Sequence, residues 1–468
     1  MTISTAAVID WCTQLLESTP DFPPMETCLQ TIPGLAALAD LPAGTRVLVR
    51  GDVDVVVDEN GRVTDDIRLR SLLPTLKIGC DRGWVQILYG HRGRDPEMSL
   101  QPVARHIETL LGGDCPDRPA VEFIADWLND ETGEILSTAA ERIADLSPGT
   151  VVVLENTRKY SMERLLWKAT PIDLPAMAER LARYANGMRD KLAAVHVNEG
   201  FAASNRDLSS TLVPLAMDHI ALGTYIETEL RQYVTRTRQA ELVIFSGIKI
   251  NKLDDLEQIL DRGRVRMVIA AGSLAIALEK ANNPAFEMGL AADESQRIFI
   301  SPERIQQAGR ILDTGRSNGV EFVLPIDFIL GDGTESKTIP PDGAQFDIGP
   351  LTSQLQAEKV GEFIEYSRGR VASGEEPAVA FHNGVFGKFE EDRFSQGTRR
   401  FIEQLKRMHD EGVEVYVGGG EGGAALHRYG DESWVTHCFT AGGTILKALG
   451  QQPIPYLKAL YLKSRKSA

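Results

Sequence analysis

Residues Val413–Ala425 read VEVYVGGGEGGAA. The run Val413–Gly418 is a short apolar stretch rich in valine. Five glycines between Gly418 and Gly423 then surround a single acid, Glu421. Runs of Val and Ile with few alternating polar residues suit strands buried on both faces, as in a parallel sheet. Bare glycine after such a strand lets backbone N–H groups meet an anion where the next helix begins. The pattern recurs along the chain. In the first half, strands are expected at Arg46–Gly51, Trp84–Gly90, Val121–Ile124, Thr150–Glu155 and Ala193–Asn198. In the second half they are expected at Glu241–Phe245, Val265–Ala271, Val320–Leu324, Pro377–Asn383, Val413–Gly418 and Val435–Thr440. Their alternation with helical stretches predicts an α/β protein with two parallel sheets. Between the halves, ALGTYIETELRQYVTRTRQ (Ala221–Gln239) lacks proline and carries mixed charges at helical spacing, so it reads as one connecting helix.

Length and composition agree with that division. A chain of 468 residues is too long for one ordinary core,. A hydrophobic fraction of 43% and a charged fraction of 25% are those of a globular protein,. No apolar run reaches the ~18 residues of a membrane span, so no membrane partner is expected. The N-terminal stretch carries Asp10 and Glu17 and no basic leader, which predicts a cytoplasmic protein,. Within it, VIDWCTQLLE (Val8–Glu17) reads as an amphipathic helix capping the surface, broken by TPDFPP,. Cys12, Cys28, Cys80, Cys115 and Cys438 form no CxxC pair and read as reduced thiols,. The formal charge of -16 argues against nucleic-acid binding, so an anionic ligand must be drawn by a local cluster of cations,.

In doubly wound sheets, ligands sit at the carboxyl ends of the strands. In the first half, the residues there are cations: His91 and Arg94 in HRGR, Arg158 in LENTR and Arg206 in VNEGFAASNR, with Arg68 in TDDIRLR. One such arginine alone reads as a solvated side chain. Their recurrence at one kind of junction points to a substrate with more than one anionic group, which guanidinium forks match. In the second half the junctions are glycine-rich: FSGIK, AAGS, FHNGVFGKFE and VGGGEGG. Turn chemistry explains any one of these, whereas four together point to a nucleotide domain. Gly418, Gly420 and Gly423 fit GxGxxG, but no acid ends the next strand, and no GxxxxGK[ST] occurs,.

From about Leu35 onward, these motifs in order resemble the phosphoglycerate kinase family. The set comprises RVLVRGDVDV, VTDDIRLRSLLPTL, GHRGRDPEMSLQPVA, LENTR, VNEGFAASNRDLSST, FSGIK, LPIDF, FDIGP, FHNGVFGKFE, VGGGEGGAA and THCFTAGG. The resemblance implies two doubly wound, Rossmann-like lobes joined by a hinge helix. It places an N-terminal extension at 1–30, an acid-binding lobe at 31–220 with a tail at 452–468, the connecting helix at 221–240 and a nucleotide lobe at 241–451. It implies transfer of a phosphoryl group between ATP and the carboxylate of 3-phosphoglycerate in glycolysis, with Mg2+ bound alongside ATP or ADP, by a monomer. The implied acid-binding residues are Asp52, Asp54, Arg68, His91, Arg94, Arg158 and Arg206. The implied nucleotide-binding residues are Gly247, Lys249, Lys252, Gly272, Asn383, Glu390, Gly419, Gly420 and Gly422. Arg68, Lys249, Gly442 and Gly443 are the implied catalytic set, and Glu421 the implied metal ligand.

Several positions depart from the family pattern. The asparagine after Asp52 is Asp54, and a second carboxylate there would repel an anion unless paired. Histidines flanking Arg206 are Asn205 and Leu208. The second lysine of the nucleotide loop falls on Leu253, with Lys252 one place early. The metal-side aspartate is Glu421, the hydroxyl residue after it is Gly422, and the triple glycine is Ala441-Gly442-Gly443. Two alternatives therefore stand beside the usual reaction: a kinase for a different phosphorylated carboxylic acid, and a catalytically weakened phosphometabolite or nucleotide binder.

Overall fold

The computed structural model describes residues 2–17, 22–112, 119–450 and 453–467. Cys115 and the TPD of TPDFPP lie outside the described residues. The chain divides into two compact units. Unit 1 is Met1–Gln232 with Gln452–Ala468, and unit 2 is Tyr233–Gln451.

Unit 1 contains β1 (Arg46–Arg50), β2 (Val85–Tyr89), β3 (Val121–Ile124), the hairpin strands β4 (Leu128–Asn129) and β5 (Glu134–Ile135), β6 (Val151–Leu154), β7 (Val195–Asn198) and β8 (His219–Leu222). Its main sheet has the order β3-β6-β2-β1-β7-β8. Every pairing in it is parallel. Strands β1, β2, β6 and β7 are buried almost throughout, which is why they read as unbroken apolar runs,.

Unit 2 contains β9 (Leu242–Phe245), β10 (Met267–Ala270), β11 (Glu321–Val323), β12 (Phe328–Leu330), β13 (Glu335–Ser336), β14 (Gln345–Ile348), β15 (Val379–Asn383), β16 (Glu414–Gly418) and β17 (His437–Cys438). Its main sheet is again parallel and six-stranded, ordered β11-β10-β9-β15-β16-β17. A separate antiparallel sheet, β13-β12-β14, is an addition that the apolar runs did not announce.

The connecting element differs from expectation. Ala221 and Leu222 belong to β8, which pairs with β7, and the helix begins at Thr224. The short apolar run His219–Leu222 completes the sheet instead of extending the helix, and Gly223 separates the two elements. The element is also irregular: α-helical at Thr224–Thr228, π-helical at Glu229–Val234, then α-helical at Thr235–Thr237. Buried Glu199 anchors its start by accepting from the backbone N–H of Tyr225 at 3.2 Å and of Ile226 at 2.9 Å.

The N-terminal helix Thr5–Leu16 is more than a surface cap. Val8, Trp11 and Cys12 are fully buried. Trp11 Nε1 donates to Thr211 O at 2.9 Å, and Asn186 grips Ile3 through both its amide groups. The C-terminal helix Pro455–Ser467 packs into the same unit, with Tyr456, Leu457, Ala459 and Leu460 wholly buried. Lys458 Nζ donates to Glu17 O at 2.8 Å and ties the two together. The four cysteines among the described residues are free thiols, and burial pushes those of Cys12 and Cys28 up to about 12. No described helix is long and apolar enough to cross a membrane.

Candidate functional site

Each unit has its own cluster at the carboxyl ends of its central strands. In unit 1, the turn after β1 supplies Asp52 and Asp54. Asp52 is buried and accepts from Ala202 N at 3.2 Å. Burial raises its pKa, against the pull of Arg68 and Arg50. Arg68 Nη1 donates to Asp54 O at 2.8 Å and lies 3.6 Å from Asp52 Oδ1 and 3.5 Å from Asp54 Oδ2. The carboxylate of Asp54, the unexpected second acid, is thus paired. It also accepts from Gly93 N at 2.7 Å and lies 4.0 Å from His91 Nε2.

The loop after β2 carries His91 and Arg94, and buried side chains from the segment just after β6 hold it in shape. Asn156 accepts from the backbone N–H of Arg92 at 3.2 Å and donates to the carbonyls of Arg92 and Met98 at 2.8 Å. Glu155 accepts from Ser99 Oγ and Leu100 N, both at 2.7 Å. Arg158 donates from Nη1 to Gly93 O at 3.0 Å and stacks on Trp167, its guanidinium carbon 5.0 Å from the ring centre. His91 is buried, and its Nδ1 accepts from Arg50 Nη2 at 3.1 Å. Burial, reinforced by Arg50, Arg158 and Arg68, holds His91 well below the usual histidine range, so it is neutral near pH 7.

The structure therefore brings Asp52, Asp54, Arg68, His91 and Arg158 together. Arg94 is exposed on the same loop and makes no ion pair among the described residues. Arg206 is half-buried and lies within electrostatic reach of Lys458; no ion pair joins it to Asp52, Asp54 or Asp207. Three residues of the cluster escaped the sequence reading. Arg50 donates from Nε to Ser209 Oγ at 2.8 Å and is 1% exposed. Asp207 is fully buried and receives Trp167 Nε1 at 2.7 Å. Glu163 accepts from Ser209 N at 3.0 Å, and burial beside Asp207 lifts its carboxyl to about 7. Arg50 lies inside the expected buried strand Arg46–Gly51, which was a usable signal, whereas nothing in the local sequence separates Asp207 and Glu163 from surface charges.

In unit 2, the cluster is mostly main chain. Helices starting at Gly272, Gly420 and Gly442 all begin just past strand ends. Their loops interlock with almost no room for side chains. A Cβ on Gly442 would collide with Gly419 Cα, and one on Gly272, at φ +64°, with Gly247 O. Gly420 and Gly443 face open space. Gly422 lies against the backbone of Gly384, in the loop after β15. Asn383 is buried and donates from Nδ2 to Gly418 O at 2.7 Å, tying β15 to the glycine loop.

Lys252 turns into this cluster. Its Nζ donates to Ser246 O and, at 3.3 Å, to Asn383 O. Burial, aided by Lys249 and opposed by Glu421, lowers its pKa to about 8. Leu253, at the family's second lysine position, is instead a fully buried core residue. Glu421 is exposed in the first turn of its helix. Its Oε2 and Lys252 Nζ each lie 3.4 Å from where a Gly247 side chain would begin. Lys249 and Glu390 are exposed on their loops and make no ion pair among the described residues. No group of three or more metal-ligating side chains occurs among the described residues.

Comparison with known proteins agrees with both units. The family model described as phosphoglycerate kinase matches residues 38–452. The phosphoglycerate kinase of Herpetosiphon aurantiacus is 30% identical over 444 residues, covering 89% of this chain and 96% of that protein. That of Streptomyces coelicolor is 31% identical over 448 residues, covering 90% and 98%. Among solved structures, the phosphoglycerate kinase of Pyrococcus horikoshii superposes with a TM-score of 0.70 at 22% identity, over 92% of this chain and 99% of that one, which establishes the shared fold. With most of its length matched, this chain belongs to the phosphoglycerate kinase family.

Proposed function

We propose that the protein transfers a phosphoryl group between ATP and the carboxylate of 3-phosphoglycerate, giving 1,3-bisphosphoglycerate and ADP, as a cytoplasmic enzyme of glycolysis. The observation that carries this reading is the sorting of donor types. Charged side chains converge at the strand ends of unit 1, whereas bare backbone and one buried lysine converge at those of unit 2. Side-chain cations suit a small, highly charged acid, and helix starts stripped of side chains suit a polyphosphate.

In this reading Arg94, Arg158, Arg206 and His91 hold the acid's phosphate end, with His91 as a neutral hydrogen-bonding group. Asp52 orders its hydroxyl, and Arg68 reaches the reacting carboxylate. The N–H groups at Gly420 and Gly442, together with Gly247, Gly272, Gly419, Gly422 and Gly443, face the nucleotide phosphates. Asn383 and Lys249 flank those phosphates, and Glu390 meets the ribose. Lys252 supplies the cation that Leu253 does not. Glu421 is a lone carboxylate with open space in front of its helix. That donor set fits Mg2+, which takes few protein oxygens and fills its shell from phosphates and water. When bound, the ion neutralises phosphate charge. Phosphoryl transfer asks for positioning and charge neutralisation more than covalent help, and both clusters offer these.

A coupled assay with 3-phosphoglycerate, ATP and magnesium tests the proposal. Turnover in the range ~1–100 per second is expected. Turnover with a different phosphorylated acid alone would replace 3-phosphoglycerate by that acid. The partial exposure of the Asp54 carboxylate favours such a second substrate class, because an added donor on the acid could reach it. Absence of turnover with any acid would overturn the enzyme reading.

A further inference from the structure

The guanidinium groups of the unit 1 cluster lie against carboxylates. Arg50, Arg68 and Arg158 are matched by Asp52, Asp54 and Asp207, each arginine lying within 4 Å of at least one of these acids. Asp207 is the least explained of the six. Its side chain is fully buried. Oδ1 is satisfied by Trp167, but Oδ2 has no hydrogen-bond partner. That oxygen nevertheless sits 3.6 Å from Arg50 Nη2, 3.7 Å from His91 Nδ1 and 3.8 Å from Arg158 Nη2. A buried carboxylate oxygen without a hydrogen bond is costly, and here the guanidinium groups of Arg50 and Arg158 offset that cost by facing it.

We propose that Asp207 is an internal counter-ion that sets the affinity and charge selectivity of the acid-binding site. It neutralises Arg158 and Arg50 from inside. Arg158 has little left to offer outward: Nη1 is on Gly93 O, Nη2 faces Asp207, and its face lies on Trp167. Capture of an anion then falls chiefly to the uncommitted cations, Arg94 and Arg206. A site neutralised in this way holds a dianionic phosphate less tightly than one with free arginines. It tolerates better an acid that carries a compensating cationic group. The inference rests on the reading of unit 1 as the acid-binding unit.

The test is calorimetric titration of the full chain, without nucleotide, with inorganic phosphate and separately with 3-phosphoglycerate. Asp207→Asn keeps an oxygen for Trp167 and removes the charge. It is expected to tighten both ligands about tenfold, the order of one unit charge removed at several ångströms in a partly polar site, while ADP affinity stays as it was. The loss caused by Arg158→Ala is expected to grow when Asp207→Asn is also present, since Arg158 is then free to meet the anion. Unchanged or weaker phosphate binding by a folded Asp207→Asn variant overturns the proposal. Should that variant not fold, Arg94→Ala decides, because Arg94 is exposed and unpaired. A phosphate affinity lower by about tenfold or more supports the proposal; an unchanged one overturns it, since the buried cations would then be carrying the anion. Failure of the kinase reading has a different signature, namely absent turnover whatever the phosphate affinity.

Discussion

The two strand-end clusters achieve opposite things with the same architecture. Unit 1 uses side chains: six charged groups in close pairs, held by Asn156, Glu155 and Trp167. Unit 2 uses the lack of them: loops so close that added Cβ atoms would strike backbone, with Lys252 as the one buried cation among the described residues of the cluster. The first kind of site can be retuned by exchanging one charge, because neighbours compensate electrostatically. The second kind cannot, because a backbone collision has no small remedy.

This contrast breaks first at Gly442. Gly442→Ala forces Gly419 away, and a displacement near 1 Å is expected to cut turnover by about a hundredfold. Gly420→Ala, where an added Cβ meets nothing within 4 Å, is expected to keep nearly full activity. Steady-state kinetics on the pair checks this; equal losses would deny that loop approach is what matters. Next is Arg158→Ala, which leaves Asp207 facing one guanidinium group instead of two and frees the Gly93 carbonyl. Breaking a buried pair typically costs about 3–5 kcal/mol. Affinity for the acid is expected to fall, because Asp207 loses a counter-charge and then repels the anion, while ATP affinity holds, as titration with each ligand would reveal. Equal acid affinity would contradict the assignment of the acid to unit 1.

Lys252 gives a smaller effect that depends on pH. Its folded pKa of about 8 lies below the unfolded value of 10.5. Its charge in the folded protein therefore fades as pH rises through about 8, and ATP affinity is expected to fall severalfold between pH 7 and 9. Between pH 8 and 10.5 the unfolded chain binds the extra proton, so this group makes the fold more stable as pH rises. Lys252→Arg should flatten the affinity profile, measured by titration at each pH. The smallest effect belongs to unit 1. Glu163, raised to about 7 from 4.5, binds a proton more readily when folded. Its contribution is complete below pH 4.5 and is lost as pH rises to about 7, a change of about 1–3 kcal/mol. Denaturant melts of Glu163→Gln against the unaltered chain should show that slope reduced.

Much of this fold was legible because parallel strands buried on both faces leave unbroken valine and isoleucine runs. Val121–Ile124 was placed to the residue, and the other expected strands to within about two at either end. The sixth strand of unit 1 was lost because His219–Leu222 is only four residues long, starts exposed and runs into helical sequence. The antiparallel sheet of unit 2 was lost for a similar reason: its strands are two to four residues long. Site residues were legible where a cation or glycine followed a strand. What stayed hidden was pairing. Asp207 beside Arg206 looks in sequence like any surface acid, and only packing reveals that it points at Arg50 and Arg158. Likewise the family resemblance aligned the loop's second lysine with Leu253 and left Lys252 one place early, whereas the helix start turns Lys252 into the loops and Leu253 into the core.

The helix Pro455–Ser467 belongs to unit 1 yet follows all of unit 2 in the chain. A ribosome therefore finishes the second unit before the first has received its last piece. Until then, the surface that Tyr456, Leu457 and Leu460 will cover stands bare during synthesis, an interval in which the nascent chain is open to chaperones and to aggregation.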